Sequence, residues 1–321
     1  MPEKAQALFG THNRLGIPAL FIEEALHGYD TGTVFPTPLG LAATWDSDVA
    51  EQTASSIAAE ARSNAVDMIL APVLDLARDP RWGRVEEDFG EDPYLTGRMG
   101  LAYVLGAQGS SLRSDHTVVA EPKYFAGHGS PEGGTNMSPV HIGECGLRSV
   151  MLKSFEPSFR EGHAMATMAA YHEIDGVPVT ADPLLLKKIL RQEWGFQGFV
   201  LSDLGAIERL YKVHHVAATP KEAACMAKKG MATVVGFTPI RATTVYVVET
   251  VEDMQRATSD SDTPSTLRKF SVIKDAPIRW RNNELLLVPA MIYSRSVAAG
   301  EHVEVSLGER DAIVLLRPSG K

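Results

Sequence analysis

Residues 166–203 read ATMAAYHEIDGVPVTADPLLLKKILRQEWGFQGFVLSD. Ala166–Tyr171 and Gly198–Ser202 are apolar runs of strand length that end in polar or charged residues, as expected of parallel strands buried on both faces. Between them, Asp182–Glu193 opens with an Asp cap and a proline at the first helical position, a helix start signal. The unit is strand, helix, strand. On the N-terminal side, Ala19–Glu23, Met68–Leu76 and Thr117–Phe125 read as further strands, and Asp46–Asn64, Thr96–Gln108 and Gly143–Arg160 as helices. Regular alternation predicts an α/β protein with a parallel sheet. The connections are longer than a crossover needs. In a (β/α)8 barrel the long loops follow the C-terminal ends of the strands and build the active site.

Each of the five strands delivers chemistry at that end. The first runs into Glu23-Glu24-Ala-Leu-His27-Gly, and the second into Asp75 and then Arg78-Asp-Pro-Arg-Trp82-Gly-Arg84. The third ends in Lys123-Tyr-Phe-Ala-Gly-His128, the fourth in Tyr171-His172-Glu173 and the fifth in Ser202-Asp203-Leu204. Five in succession describe a polar pocket at a barrel mouth. Carboxylates and cations suit a sugar, whose hydroxyls both donate and accept, while Trp82 and Tyr171 suit its apolar C–H face. Sugar hydrolysis uses two carboxyl groups about the anomeric carbon, and a neighbouring Lys or Arg keeps one of them ionised.

Composition excludes most alternatives. The 321 residues are 44% hydrophobic and 22% charged, which is globular rather than disordered. The balance of 31 Lys+Arg against 40 Asp+Glu gives −9, the wrong sign for nucleic acid or anionic membranes. No apolar run approaches the ~20 residues of a membrane-spanning helix. The first residues, MPEKAQALFGTHNRLG, lack the basic flank and apolar core of a secretion signal, so the expectation is a cytoplasmic protein. Cys145 and Cys225 are too few for a disulfide framework, and neither lies in a metal-type spacing. His214-His215 are adjacent and cannot both face one metal from a regular element; no cofactor is expected.

Four strings carry a resemblance: RLGIPALFIEEALHG, LAPVLDLARDPRWGRVEEDFGEDPYL, KYFAGHGSPEGG and AYHEIDGVPVTADPLLLKKILRQEWGFQGFVLSDLGAI. From about Arg14 to Ala224 the chain resembles the N-terminal barrel domain of glycoside hydrolase family 3, the β-glucosidase and β-xylosidase group. The resemblance implies a TIM-type barrel and a retaining exo-β-glycosidase acting on terminal β-linked glucose or xylose of a small oligosaccharide or aryl β-glycoside. It implies Asp203 as the nucleophile that forms a covalent glycosyl-enzyme. Glu24, Arg84, Lys123, Tyr171 and His128 fall at sugar-binding positions. Bland readings stand beside these: Glu24 as an ion-pair partner of Arg84, Trp82 as packing, His27 and His128 as hydrogen-bonded framework.

Three positions depart from the family pattern. Tyr124 stands where the family has a histidine after the lysine, Gly133-Gly134-Thr135 where an arginine is common, and Leu204 where an aromatic usually follows the nucleophile. The family's general acid/base is mostly a glutamate from a second α/β domain, and the resemblance ends near Cys225. One branch instead places an Asp–His pair in the loop after the third strand, where this chain has Glu132, His141 and Glu144 without that spacing. The expected organisation is therefore a barrel-like domain over residues 1–225, incomplete, followed by a small β-rich segment over 226–321 that completes it or stands apart. Its strands are expected at Thr233–Phe237, Thr243–Glu249, Leu285–Ile292, His302–Leu307 and Asp311–Leu316. The alternative function is a non-catalytic or weakly active sugar-binding barrel. Exposed strand edges in an incomplete barrel favour self-association.

Overall fold

The structure is a computed structural model that describes residues 19–30 and 32–230, together with the backbone of three strands at 243–248, 291–297 and 313–316. By contact density the chain divides into two units, one holding Ile22–Leu201 and the other including Ser202–Lys228.

In the first unit the strands pair in the order of the sequence. β1 (Ala19–Glu23), β2 (Met68–Ile69) and β3 (Val119–Ala120) run parallel, with Ile22 opposite Met68 and Met68 opposite Val119. The long second strand expected at Met68–Leu76 is regular for two residues. Pro72 has no N–H to give the ladder, yet the pairing continues past it. Glu121 N donates to Ala71 O (2.8 Å), Lys123 N to Pro72 O (2.8 Å) and Leu74 N to Lys123 O (2.6 Å). β4 (Ala166–Ala169) follows, joined to the third strand by Phe125 N donating to Met168 O (2.8 Å) and by a parallel bridge between Phe125 and Ala169. A two-residue hairpin, β5 (Glu173–Ile174) with β6 (Val177–Pro178), leads to β7 (Phe199–Ser202), which lies beside β4. Further on are β8 (Thr243–Val248), β9 (Met291–Val297) and β10 (Ile313–Leu316), with β8 and β9 antiparallel. Five barrel-type strands are thus present, and among the described residues they do not close into a barrel. The strands expected at Thr233–Phe237 and His302–Leu307 lie outside the described residues.

The helices follow their caps. Asp46 Oδ1 accepts from Asp48 N (3.0 Å) and opens Ser47–Ser63, which buries Ala50, Ala54, Ile57, Ala58 and Ala61. Asp92 Oδ1 accepts from Leu95 N (2.7 Å), so the next helix starts at Pro93, a turn before the expected Thr96, and runs to Gln108. The two helices pack closely enough that a Cβ on Gly106 would lie 2.1 Å from Glu51 O. The single helix expected over Gly143–Arg160 is broken into Gly143–Ser149, Met151–Lys153 and Glu156–Arg160. Pro157 explains the last break, since proline is tolerated in a first helical turn and not in an interior. Leu184–Glu193 is helical as expected, but it is wound in the wider π form and ends with Trp194 N donating five residues back to Ile189 O (3.0 Å). No helix of the described residues is long and apolar enough to cross a membrane.

Candidate active site

The C-terminal ends of β1, β2 and β3 bring one cluster together in the first unit. Lys123 leaves β3 fully buried, and its Nζ donates to Glu24 Oε1 (2.9 Å) and Oε2 (2.8 Å). Glu24, just beyond β1, keeps 39% of its side chain exposed against 1% for Lys123. The loop that carries it is buttressed from below. Tyr103 Oη donates to Ala25 O (2.8 Å), and burial first, then the charge of Glu24, raise its pKa, so it remains a neutral donor.

Arg84 is held from three sides. Its Nε donates to Glu87 Oε1 (2.8 Å) and its Nη2 to Glu87 Oε2 (2.7 Å), the bidentate fork typical of Arg–carboxylate pairs. Nη2 also donates to the Tyr124 hydroxyl, and Nη1 lies 3.3 Å from His128 Nε2. Burial opposes its charge, but Glu87 and Tyr124 outweigh that and raise its pKa. The Tyr124 ring lies under both cations, 4.6 Å from the guanidinium carbon and 5.1 Å from Lys123 Nζ. The ion pair read as Glu24–Arg84 is therefore divided into Glu24–Lys123 and Arg84–Glu87.

Donor counting shows what remains for a ligand. A guanidinium has five N–H groups and an ammonium three. Among the described residues four of the five on Arg84 and two of the three on Lys123 face protein acceptors. Each cation keeps one N–H, beside a carboxylate that is part exposed.

Asp75 organises the loop behind this cluster. It is fully buried at the end of the second strand, and it accepts from Tyr124 N (2.9 Å) and His128 N (2.6 Å). Burial pushes its pKa up to about 7, against those two N–H groups, that of Gly129 and the charge of Arg84. Close approach of this loop requires Gly129, where a Cβ would lie 2.5 Å from Leu76 O. Asp88 is also fully buried, and its pKa is raised by burial first, then by Asp75 and Glu87.

Three expectations change. His128 is fully buried, with Nε2 facing Arg84 and Nδ1 lying 3.3 Å from His172 Nδ1, so the sugar contact expected of it gives way to a framework role. Trp82 is 1% exposed and donates Nε1–H to Asn136 Oδ1 (3.0 Å), which makes it packing rather than a sugar platform. Tyr124 supplies an anchor for Arg84 where a sugar contact was thought missing. Tyr171 stays half-buried at the margin, its ring 6.3 Å from that of His128. Sequence reasoning gave Asp75 and His172 no role and passed over Glu87 and Asn136. Their positions just past strand ends, or within the charged string after Arg84, were the available signal. In the loop after the third strand His141 lies 3.8 Å from both Glu132 and Asp175, all well exposed. No group of three or more His, Cys, Asp or Glu suited to a metal occurs among the described residues.

Asp203 belongs to the second unit. It follows β7 directly, is 4% exposed, and starts a turn in which Ala206 N donates to Asp203 O (2.9 Å). Its Oδ1 accepts from Leu204 N (2.7 Å), Gly205 takes the left-handed φ of 73°, and the helix Ala206–Lys212 begins at once. A carboxylate at the tip of a strand and before a helix is thus held by its own turn.

A family model described as the glycosyl hydrolase family 3 N terminal domain matches residues 3–255. The chain is 40% identical over 217 residues to a protein named periplasmic beta-glucosidase from Salmonella typhimurium, covering 68% of this chain and 28% of that one. It is 39% identical over 228 residues to a protein named beta-xylosidase from Formosa agariphila, covering 68% and 32%. A solved structure of a beta-glucosidase from Listeria innocua in complex with glucose aligns with a TM-score of 0.69 at 34% identity, covering 73% of this chain and 32% of that chain. The chain spans about a third of the length of the relatives it matches. The domain matched has a TIM-barrel-like fold, in keeping with the five successive strands. A match over more than half of the residues, supported by these relatives, leaves one conclusion: the chain belongs to glycoside hydrolase family 3, through its N-terminal domain.

Proposed function

We propose that the chain acts in a retaining exo-β-glycosidase that removes terminal β-linked glucose or xylose from small oligosaccharides or aryl β-glycosides. The observation that carries this reading is the donor count at Glu24, Lys123 and Arg84. A part-exposed carboxylate, with one N–H left on each of two cations, suits adjacent sugar hydroxyls that donate to Glu24 and accept from Lys123 and Arg84. In this reading Asp203 attacks the anomeric carbon from the face opposite the leaving oxygen, which takes a proton from a general acid as its bond to carbon breaks. Water, giving a proton back to that group, then attacks from the vacated face and displaces the Asp203 carboxylate, giving net retention. Relatives named β-glucosidase and β-xylosidase support both sugars as substrates.

The test is hydrolysis of nitrophenyl β-glucoside and β-xyloside by the full chain, with the first-formed sugar anomer read by proton NMR. Nitrophenol release with the β-anomer appearing first supports the proposal. An α-anomer first, or no release of nitrophenol, sinks it.

A further inference from the structure

Arg84 fixes the protons of two buried histidines. A guanidinium donates and never accepts, so His128 Nε2, 3.3 Å from Arg84 Nη1, must be the bare nitrogen of its ring. A neutral His128 therefore carries its proton on Nδ1, and that N–H points at His172 Nδ1, 3.3 Å away. His172 must accept there, which leaves its own proton on Nε2. The rings stack at 5.3 Å, tilted by 28°, and both are buried. A proton added to Nε2 of His128 would set two donors, the imidazolium N–H and the Arg84 N–H, against each other.

Most of the groups around His128 agree with the neutral state: the Tyr124 ring lies at 4.9 Å, Trp82 at 5.4 Å and Tyr171 at 6.3 Å, and Asp75 is occupied with the backbone N–H of His128. Asn136, which hydrogen-bonds the imidazole, pulls the other way and is outweighed. Burial pushes the His128 pKa well down, and His172 and Arg84 push the same way.

We propose that His172 is a positioning residue: by accepting the Nδ1–H of His128 it keeps Nε2 bare towards Arg84, and so aims the one guanidinium N–H left for a sugar. This rests on the sugar-site reading above. His172 touches no ligand and acts through His128.

The experiment compares the full chain with His172→Asn, which keeps an acceptor near the Nδ1 position, and His172→Leu, which removes it. Nitrogen-15 NMR reads the His128 tautomer, and titration with glucose and xylose reads binding. The expected result is an Nδ1–H tautomer in the wild type and in His172→Asn, and its loss in His172→Leu. Sugar Kd should rise about ten-fold in the leucine variant and return to the wild-type value in the asparagine variant. The acid limb of binding should move up in pH in His172→Leu, since His172 no longer holds the His128 pKa down and Nε2 takes a proton more readily. A wild-type His128 protonated on Nε2, or unchanged sugar affinity in a folded His172→Leu, overturns the proposal. Absence of sugar binding by all three proteins, with the tautomers as described, overturns the glycosidase reading and leaves the histidine relay standing.

Discussion

Lys123 Nζ lies 2.9 and 2.8 Å from the two carboxylate oxygens of Glu24, ninety-nine residues away in sequence. The lysine is buried and the glutamate part exposed, so the pair has a protein side and an open side. A lone buried ammonium is costly, and Glu24 is what makes it tolerable. The same carboxylate is the acceptor offered to a ligand.

Glu24→Gln removes that charge. The substitution is expected to weaken glucose binding by about ten- to a hundred-fold, the worth of one or two charge-assisted hydrogen bonds. Isothermal titration checks it. Loss of less than three-fold would remove Glu24 from the sugar site.

Asp75→Asn keeps shape but presents an amide where a carboxylate now accepts from Tyr124 N and His128 N. One of those buried N–H groups then meets a donor. The expected loss is about 1–3 kcal/mol of unfolding free energy, measured by urea denaturation at constant m. An unchanged midpoint would show that the loop is held by other contacts.

Asp88 buries a carboxyl whose two oxygens accept no hydrogen bond among the described residues. Burial raises its pKa, so the folded state holds its proton to higher pH than the unfolded chain does. Its contribution to stability is full below the unfolded value of about 4 and is lost as pH rises through the folded value. Asp88→Asn does not titrate. Its stability relative to wild type should therefore improve with rising pH, by about 1.4 kcal/mol per unit within that window. Thermal melts from pH 4 to 8 read the difference, and a variant that loses stability relative to wild type as pH rises contradicts the prediction.

Tyr124 gives its hydroxyl to Arg84 and is 5% exposed, so it has little to offer a sugar. Tyr124→His shortens the side chain and releases one Arg84 N–H. Binding of glucose is expected to tighten by about three- to ten-fold, about one hydrogen bond. Equal or weaker binding would mean that the tyrosine ring, lying under Arg84 and Lys123, matters more than the donor it consumes.

The fold was legible where local chemistry decides it. Asp46 starts a helix as its side chain dictates, and Ala19–Glu23 is a strand at the expected bounds. Pro72 and Pro157 were visible in the sequence, and their effects on β2 and on the broken helix follow from the missing N–H. The π winding of Leu184–Glu193 was not legible, because it depends on how that helix packs. In the site, the residue types were readable and their pairing was not. Glu24 meeting Lys123 rather than Arg84, and His128 meeting His172, are contacts between loops from different strands. No spacing along the chain records them.

The proposed mechanism turns on Asp203 as a nucleophile acting on a β-glycoside. Incubation of the full chain with a 2-deoxy-2-fluoro-β-glucoside carrying a good leaving group, followed by peptide mass spectrometry, tests it most directly. One fluoroglucosyl adduct is expected, on the peptide containing Asp203, and none on Asp203→Ala. No adduct under conditions where the chain binds glucose, or an adduct on another carboxylate, would contradict it.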